Sequence, residues 1–159
     1  KQLNEWNCFD RIYRIMKPLK LFIEYVQEGV VRKQSPDSLR ANSLIKEAQE
    51  GQKILLEFCY KLGVSDRNAN YIIKNAYDII MELIRAKMLA NGFHSSGLGA
   101  HEAEVSYLRE LKFKDVEVDF VNQLRYFRNG ITYYGKKLDA EYANKVINSL
   151  QNIFDKLSK

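Results

Sequence analysis

The sequence predicts an all-α fold, an up-and-down bundle of five to six antiparallel helices, from three observations. Only 8 glycines and 2 prolines punctuate 159 residues, too few for a β-sandwich, whose strands turn about every 10 positions. Apolar residues recur at spacings of three and four through most of the chain, the period of one helix face. Ser, Asp, Asn and Gly stand where those stripes begin and end, as helix caps do. At 46% hydrophobic and 28% charged residues, the composition is that of an ordinary globular chain. A chain this long buries roughly 70% of its unfolded surface, so the fold needs neither disulfide nor metal.

The first predicted helix covers residues 3–16, with Leu3, Trp6, Phe9, Tyr13 and Met16 on one side. Pro18 can occupy the first turn of a second, running to Arg32 through Phe22, Tyr25, Val26 and Val30. Ser35-Pro36-Asp37-Ser38 breaks the chain and offers an N-cap. The stripe Ala41, Leu44, Ile45, Ala48, Leu55, Phe58, Cys59 and Leu62 then defines a long helix ended by Gly63,. Ser65 can cap the next, which reaches Ala90. Its apolar residues, from Ile72 to Met88, cover so wide an arc that this helix must be central and contacted from two sides.

Asn91-Gly92 stops it, and residues 93–99, which include His94, form the most flexible-looking loop. A short helix over 100–111 follows, then one capped by Asp115 and reaching Tyr134. Gly135 terminates that helix, and Asp139 caps a last one carrying Tyr142, Val146, Leu150, Ile153 and Leu157. Residues 1–34 read as an N-terminal helical extension and residues 35–159 as the bundle, together one compact domain.

The net charge of +5 is compatible with a nucleic-acid partner, but on charge alone a solvated mixed-charge surface is the favoured reading. No run of five like charges occurs. Cys8 and Cys59 make neither a disulfide framework nor a zinc site, and Cys59 in a helical stripe predicts a buried free thiol. No stretch of about 18 apolar residues is present to span a membrane, so a cytoplasmic location is the default expectation. No motif calls for a metal or cofactor. His94 and His101 lack the spacing and the neighbouring cysteines of a metal site. His101, in register with Val105 and Leu108, predicts a structural histidine bonded to a backbone carbonyl, while Glu102 and Glu104 suit a helix N-terminus.

The predicted helix over 115–134 has two faces. Val116, Phe120, Leu124, Phe127, Ile131 and Tyr134 share the core arc at 100° per residue. Arg125, Arg128, Asn129 and Thr132 lie opposite, together with Val118 and Val121. An apolar pair beside arginines predicts a homodimer interface of Val118, Val121, Arg125 and Thr132 on that back face.

The stretch Leu124-Arg125-Tyr126-Phe127-Arg128-Asn129-Gly130-Ile131-Thr132-Tyr133-Tyr134-Gly135, followed by an Asp-capped final helix, resembles the HEPN family (higher eukaryotes and prokaryotes nucleotide-binding). The run from Ala76 to Gly92, a Gly-bearing loop and His101 support the resemblance, which spans residues 38–157. It implies a four- or five-helix bundle that dimerises. It also implies a metal-independent ribonuclease or RNA-binding module, one of a group often paired with a nucleotidyltransferase in toxin–antitoxin or RNA-processing settings. The family motif is Arg, commonly Asn, then His five or six positions on. Arg128 and Asn129 match, but Tyr133 fills the histidine position.

Metal-free RNA cleavage needs a group that moves a proton near neutral pH, as imidazole does, whereas phenols titrate near ~10. A tyrosine can still stack on a base, and an arginine can grip a phosphate bidentately. The expectation is therefore RNA or nucleotide binding through Arg125, Arg128, Asn129, Tyr133 and His101, by a degenerate ribonuclease whose catalysis is weak or lost. The alternative is a non-catalytic homodimeric interaction module that partners an enzyme such as a nucleotidyltransferase.

Overall fold

The computed structural model describes residues 16–158, and 71% of them are helical. Six helices and a two-stranded ribbon follow in the order α1 (Phe22–Gln27), β1 (Val31–Lys33), α2 (Ser38–Leu62), α3 (Ala69–Ala90), β2 (Phe93–Ser95), α4 (Ala100–Glu110), α5 (Asp115–Tyr134) and α6 (Ala140–Leu157). The fold is all-α, as the scarcity of turn residues and the three–four periodicity predict. The predicted helix over residues 3–16 lies outside the described residues, apart from Met16.

The caps explain the boundaries. Asp37 Oδ1 accepts from the Arg40 amide at 2.9 Å to open α2, and Asp139 accepts from the Tyr142 amide at 2.8 Å to open α6. Gly63 and Gly135, both with positive φ, close α2 and α5. Two caps shift. Asn68, rather than Ser65, occupies the N-cap of α3, and its side chain ties the turn by accepting from the Ser65 amide and donating to the Gly63 carbonyl. Lys114 precedes α5, with Asp115 already helical and Glu117 accepting from the Lys114 amide at 2.9 Å.

α3 is the central element. Thirteen of its residues are buried, and it packs against α2, α4, α5 and α6. The Asp37 amide donates to the Leu89 carbonyl at 3.0 Å, so the start of α2 meets the end of α3 and the two run antiparallel. The Ala140 amide donates to Asp66 at 2.8 Å, which brings the start of α6 beside the opposite end of α3. One hydrophobic cluster joins Ile72, Tyr77, Ile80 and Ile84 of α3 to Leu124 and Phe127 of α5 and to Val146 and Leu150 of α6.

Between Pro18 and Gln34 the chain departs from the predicted second helix. Pro18 lies in a non-helical segment, the helix runs only from Phe22 to Gln27, and the chain turns at positive-φ Gly29 into β1. β1 pairs antiparallel with β2, in the register Val31 to Ser95 and Lys33 to Phe93. The predicted loop over 93–99 is thus half strand. Phe22, Tyr25 and Val31 are buried in the main cluster, and Phe22 packs edge-on to Phe93 with ring centroids 5.2 Å apart. Cys59 carries a free thiol and is half-buried rather than buried.

The predicted faces of α5 need a correction. Val118 and Val121 are 0% exposed, so neither can form the homodimer interface assigned to them with Arg125 and Thr132. The reason is α4, which packs across that side of α5, with Arg125 reaching Glu102. The stripe Val118, Val121, Asn122, Arg125 faces α4, while Leu124, Phe127 and Ile131 face the rest of the core. Val116 and Tyr134, placed on the core arc by periodicity, are exposed at the two ends of the helix.

Candidate anion-binding site

α5 carries four of the five residues singled out for anion binding, and α4 carries the fifth. Arg125 is held from two sides: Nη1 donates to Glu102 Oε1 at 3.0 Å and Nε to Asn122 Oδ1 at 3.1 Å. Its side chain is largely buried, and its charge is matched by Glu102.

One turn on, Arg128 is differently placed. Its guanidinium carbon lies 5.6 Å from the centroid of the Tyr77 ring, a stacking distance for a cation on an aromatic face. Its nearest carboxylate is Asp78, with Nη2 to Oδ1 at 3.8 Å, and that carboxylate is mostly in water. Its Nε is buried without a hydrogen-bond partner. An arginine with an orphaned donor and a long, exposed counter-charge retains capacity to bind an anion.

Tyr77 is the hub. It is fully buried on α3, and its hydroxyl lies 3.0 Å from His101 Nδ1. This replaces the backbone carbonyl predicted for that histidine. Burial pushes the Tyr77 phenol well above its ordinary range, and Arg125, Arg128 and Arg85 draw it back only in part. The phenol therefore keeps its proton, and the imidazole tautomer sets the direction of the bond. Through Tyr77, His101 and Arg128 belong to one polar cluster although they come from different helices.

Asn129 is half-buried, and Thr132 and Tyr133 are exposed. Tyr133 follows Asn129 by four residues, about 6 Å of helical rise, and is 70% exposed. The structure thus brings Arg125, Arg128 and His101 together around Tyr77 and leaves Tyr133 outside that cluster, exposed near the end of α5. His94 is apart from it, in β2 opposite Arg32.

Four participants escaped the sequence reading: Tyr77, Asp78, Arg85 and Glu104. Glu104 is 4% exposed; its Oε1 accepts from Arg85 Nε at 3.0 Å and from Ser95 Oγ at 2.7 Å. The spacing His101, Glu104, Val105, Leu108 was the available signal, since it puts an acid on the buried stripe of α4. Among the described residues, no three His, Cys, Asp or Glu side chains converge as a metal site would require. No helix of the described residues is long and apolar enough to cross a membrane.

Comparison with known protein families, with curated proteins and with solved structures found no match to this chain. The HEPN resemblance therefore rests on the motif around Arg128 and on helix order.

Proposed function

We propose that this chain is an HEPN-like RNA- or nucleotide-binding protein that grips phosphate with Arg128 and whose ribonuclease activity is weak or lost. The observation that carries the reading is Arg128 itself. It is laid against a buried aromatic ring, with one donor unpartnered and only an exposed aspartate 3.8 Å away. A phosphate dianion or diester offers shorter, bidentate contacts than that aspartate does. His101 adds a ring nitrogen near the same cluster, and exposed Tyr133 offers a stacking surface further along α5. Arg125 contributes positive potential while its own donors serve Glu102 and Asn122.

The chemistry favours binding over cleavage because the motif position normally filled by imidazole holds Tyr133. The test is fluorescence anisotropy with a labelled single-stranded RNA across a salt series. Wild type should bind with an affinity that falls steeply with salt. Arg128→Ala should lose about 1.5–3 kcal/mol, the worth of a hydrogen bond to a charged group, or roughly ten- to a hundredfold in Kd. Mixed RNA incubated with the protein, with and without chelator, should stay largely intact. Robust chelator-resistant cleavage that vanishes in Arg128→Ala would overturn the assignment of weak or lost activity.

A further inference from the structure

A groove of about 280 Å³ opens between α2 and α3, nearly twice the ~150 Å³ that holds a benzene ring. Its two ends differ, and the antiparallel pairing of the helices fixes how. A Cβ at Gly51 would lie 3.3 Å from Ile79 Cγ1, so these two positions face each other midway along the groove. Glu47 stands one turn back along α2 and Glu82 nearly one turn forward along α3, which puts both carboxylates at the same end,. Asp78, beside Ile79, lines the groove next to them. Leu55 stands one turn the other way along α2, is buried, and makes the opposite end apolar together with Ile79.

Two independent features leave room and charge for an occupant. A glycine inside a helix is disfavoured against alanine, yet Gly51 stands in the middle of α2, where a side chain would press on Ile79 and narrow the groove. The second feature is unanswered charge. Neither Glu47 nor Glu82 has a hydrogen bond or ion pair among the described residues, and Asp78 has the 3.8 Å contact with Arg128. Glu47 and Asp78 are exposed and Glu82 is half-buried, so solvent reaches all three. Burial and the carboxylates of Glu47 and Asp78 push the Glu82 carboxyl above its ordinary range, with Arg85 opposing them. Among the described residues, no Lys, Arg or His lines the groove. Three carboxylates so placed repel one another until a cation joins them. They do not converge as a metal site requires, and a bare ion would leave the apolar end unused. The occupant that complements both ends carries its positive charge on an aliphatic chain.

We propose that this groove binds an aliphatic primary amine, with its ammonium group among Glu47, Asp78 and Glu82 and its chain along Leu55 and Ile79. The groove shares Asp78 with Arg128 but requires neither Arg128 nor RNA.

NMR titration of the isotope-labelled full chain, without RNA, tests this by following the Gly51 and Ile79 amides. The probes are n-butylammonium, methylammonium, butanol and magnesium chloride. Butylammonium should shift both amides saturably and bind at least about tenfold more tightly than methylammonium, since each buried methylene group is worth about fourfold. Butanol and magnesium should leave the amides unmoved at the same concentrations. Glu47→Gln and Glu82→Gln, at positions outside the core and without partners, should each weaken butylammonium about tenfold. Arg128→Ala, which leaves Asp78 to the amine, should not weaken it, so loss of RNA binding and loss of amine binding are separate results. Absence of a saturable shift at tens of millimolar butylammonium overturns the inference. So does an equal affinity for methylammonium, a matching response to butanol or magnesium, an indifferent glutamate variant, or a loss in Arg128→Ala.

Discussion

If Asp78 holds the place of a phosphate on Arg128, removing its charge should tighten RNA binding. Asp78 Oδ1 sits 3.8 Å from Arg128 Nη2, and its side chain is 59% exposed. At that separation in water the Coulomb attraction is about 1 kcal/mol, and exposed pairs measure about 0.2–1 kcal/mol. That attraction must be given up when a phosphate takes the guanidinium. The arriving phosphate would also stand roughly 6 Å from the carboxylate, a repulsion of about 0.7 kcal/mol in water. Asp78→Asn relieves both, so the expected gain is about 1–1.5 kcal/mol at low salt, or a five- to tenfold lower Kd. The assay is anisotropy with single-stranded RNA at low and moderate salt, the gain shrinking as the Debye length falls. Asp78 caps nothing and is not buried, so thermal stability should hold. A Kd equal to wild type would refute the reasoning, as would a gain that survives undiminished in an Arg128→Ala background.

Other outcomes follow from the same structure. Val121→Asp, which an interface role would make merely monomerising, should unfold the chain. It places a charge at a site 0% exposed and should cost at least about 4 kcal/mol by urea denaturation. Gly92→Ala should cost about 1–3 kcal/mol, because φ is +78° and a Cβ would lie 2.6 Å from the Gln34 carbonyl oxygen; a small change in urea midpoint would contradict this. Burial raises the Glu117 carboxyl's affinity for a proton, but the Lys156 hydrogen bond and the Lys114 amide outweigh it and hold the carboxyl below its ordinary range. A depressed folded-state value contributes stability above the ordinary carboxylate range and loses it as pH falls through the folded value. Glu117→Gln should therefore cost about 1 kcal/mol at pH 7, with the difference closing in a thermal melt as pH falls below the ordinary carboxylate range.

The helices from α2 to α6 were legible because their signals are local. Asp37, Gly63, Gly135 and Asp139 each act within a turn of their own position, and α3 declares its centrality by an apolar arc too wide for one neighbour. The ribbon was illegible because two three-residue strands carry no periodicity, and Val31 meets Ser95 across more than sixty residues. The α5 valines were misplaced for a related reason. A helical wheel ranks faces by hydrophobicity but cannot say that a second helix, bringing Glu102, covers a face that also holds arginines. Arg125 looks solvent-facing by residue type, yet only 14% of its side chain is exposed. The site was legible in part: Arg128 and Asn129 stood out as a motif, whereas Tyr77 was absorbed into an apolar stripe and Glu104 into helix-end electrostatics.

The bonds that fasten β1 to β2 continue past the strands, from the Gln34 amide to the Gly92 carbonyl and from the Asp37 amide to the Leu89 carbonyl. Together they form a zipper that starts where the α2–α3 hairpin ends. Closing a sixty-residue loop from an open chain is entropically slow. Once α2 and α3 have docked, however, their free ends already lie side by side, and each further rung closes almost no new loop. The pairing should therefore follow the hairpin in folding and be the first part of that unit to open. In native-state hydrogen exchange, the amides of Gln34 and Asp37 should exchange through smaller openings than the middle of α3. Weakening the Gly63–Asn68 turn should loosen this ribbon, more than twenty residues away along either helix.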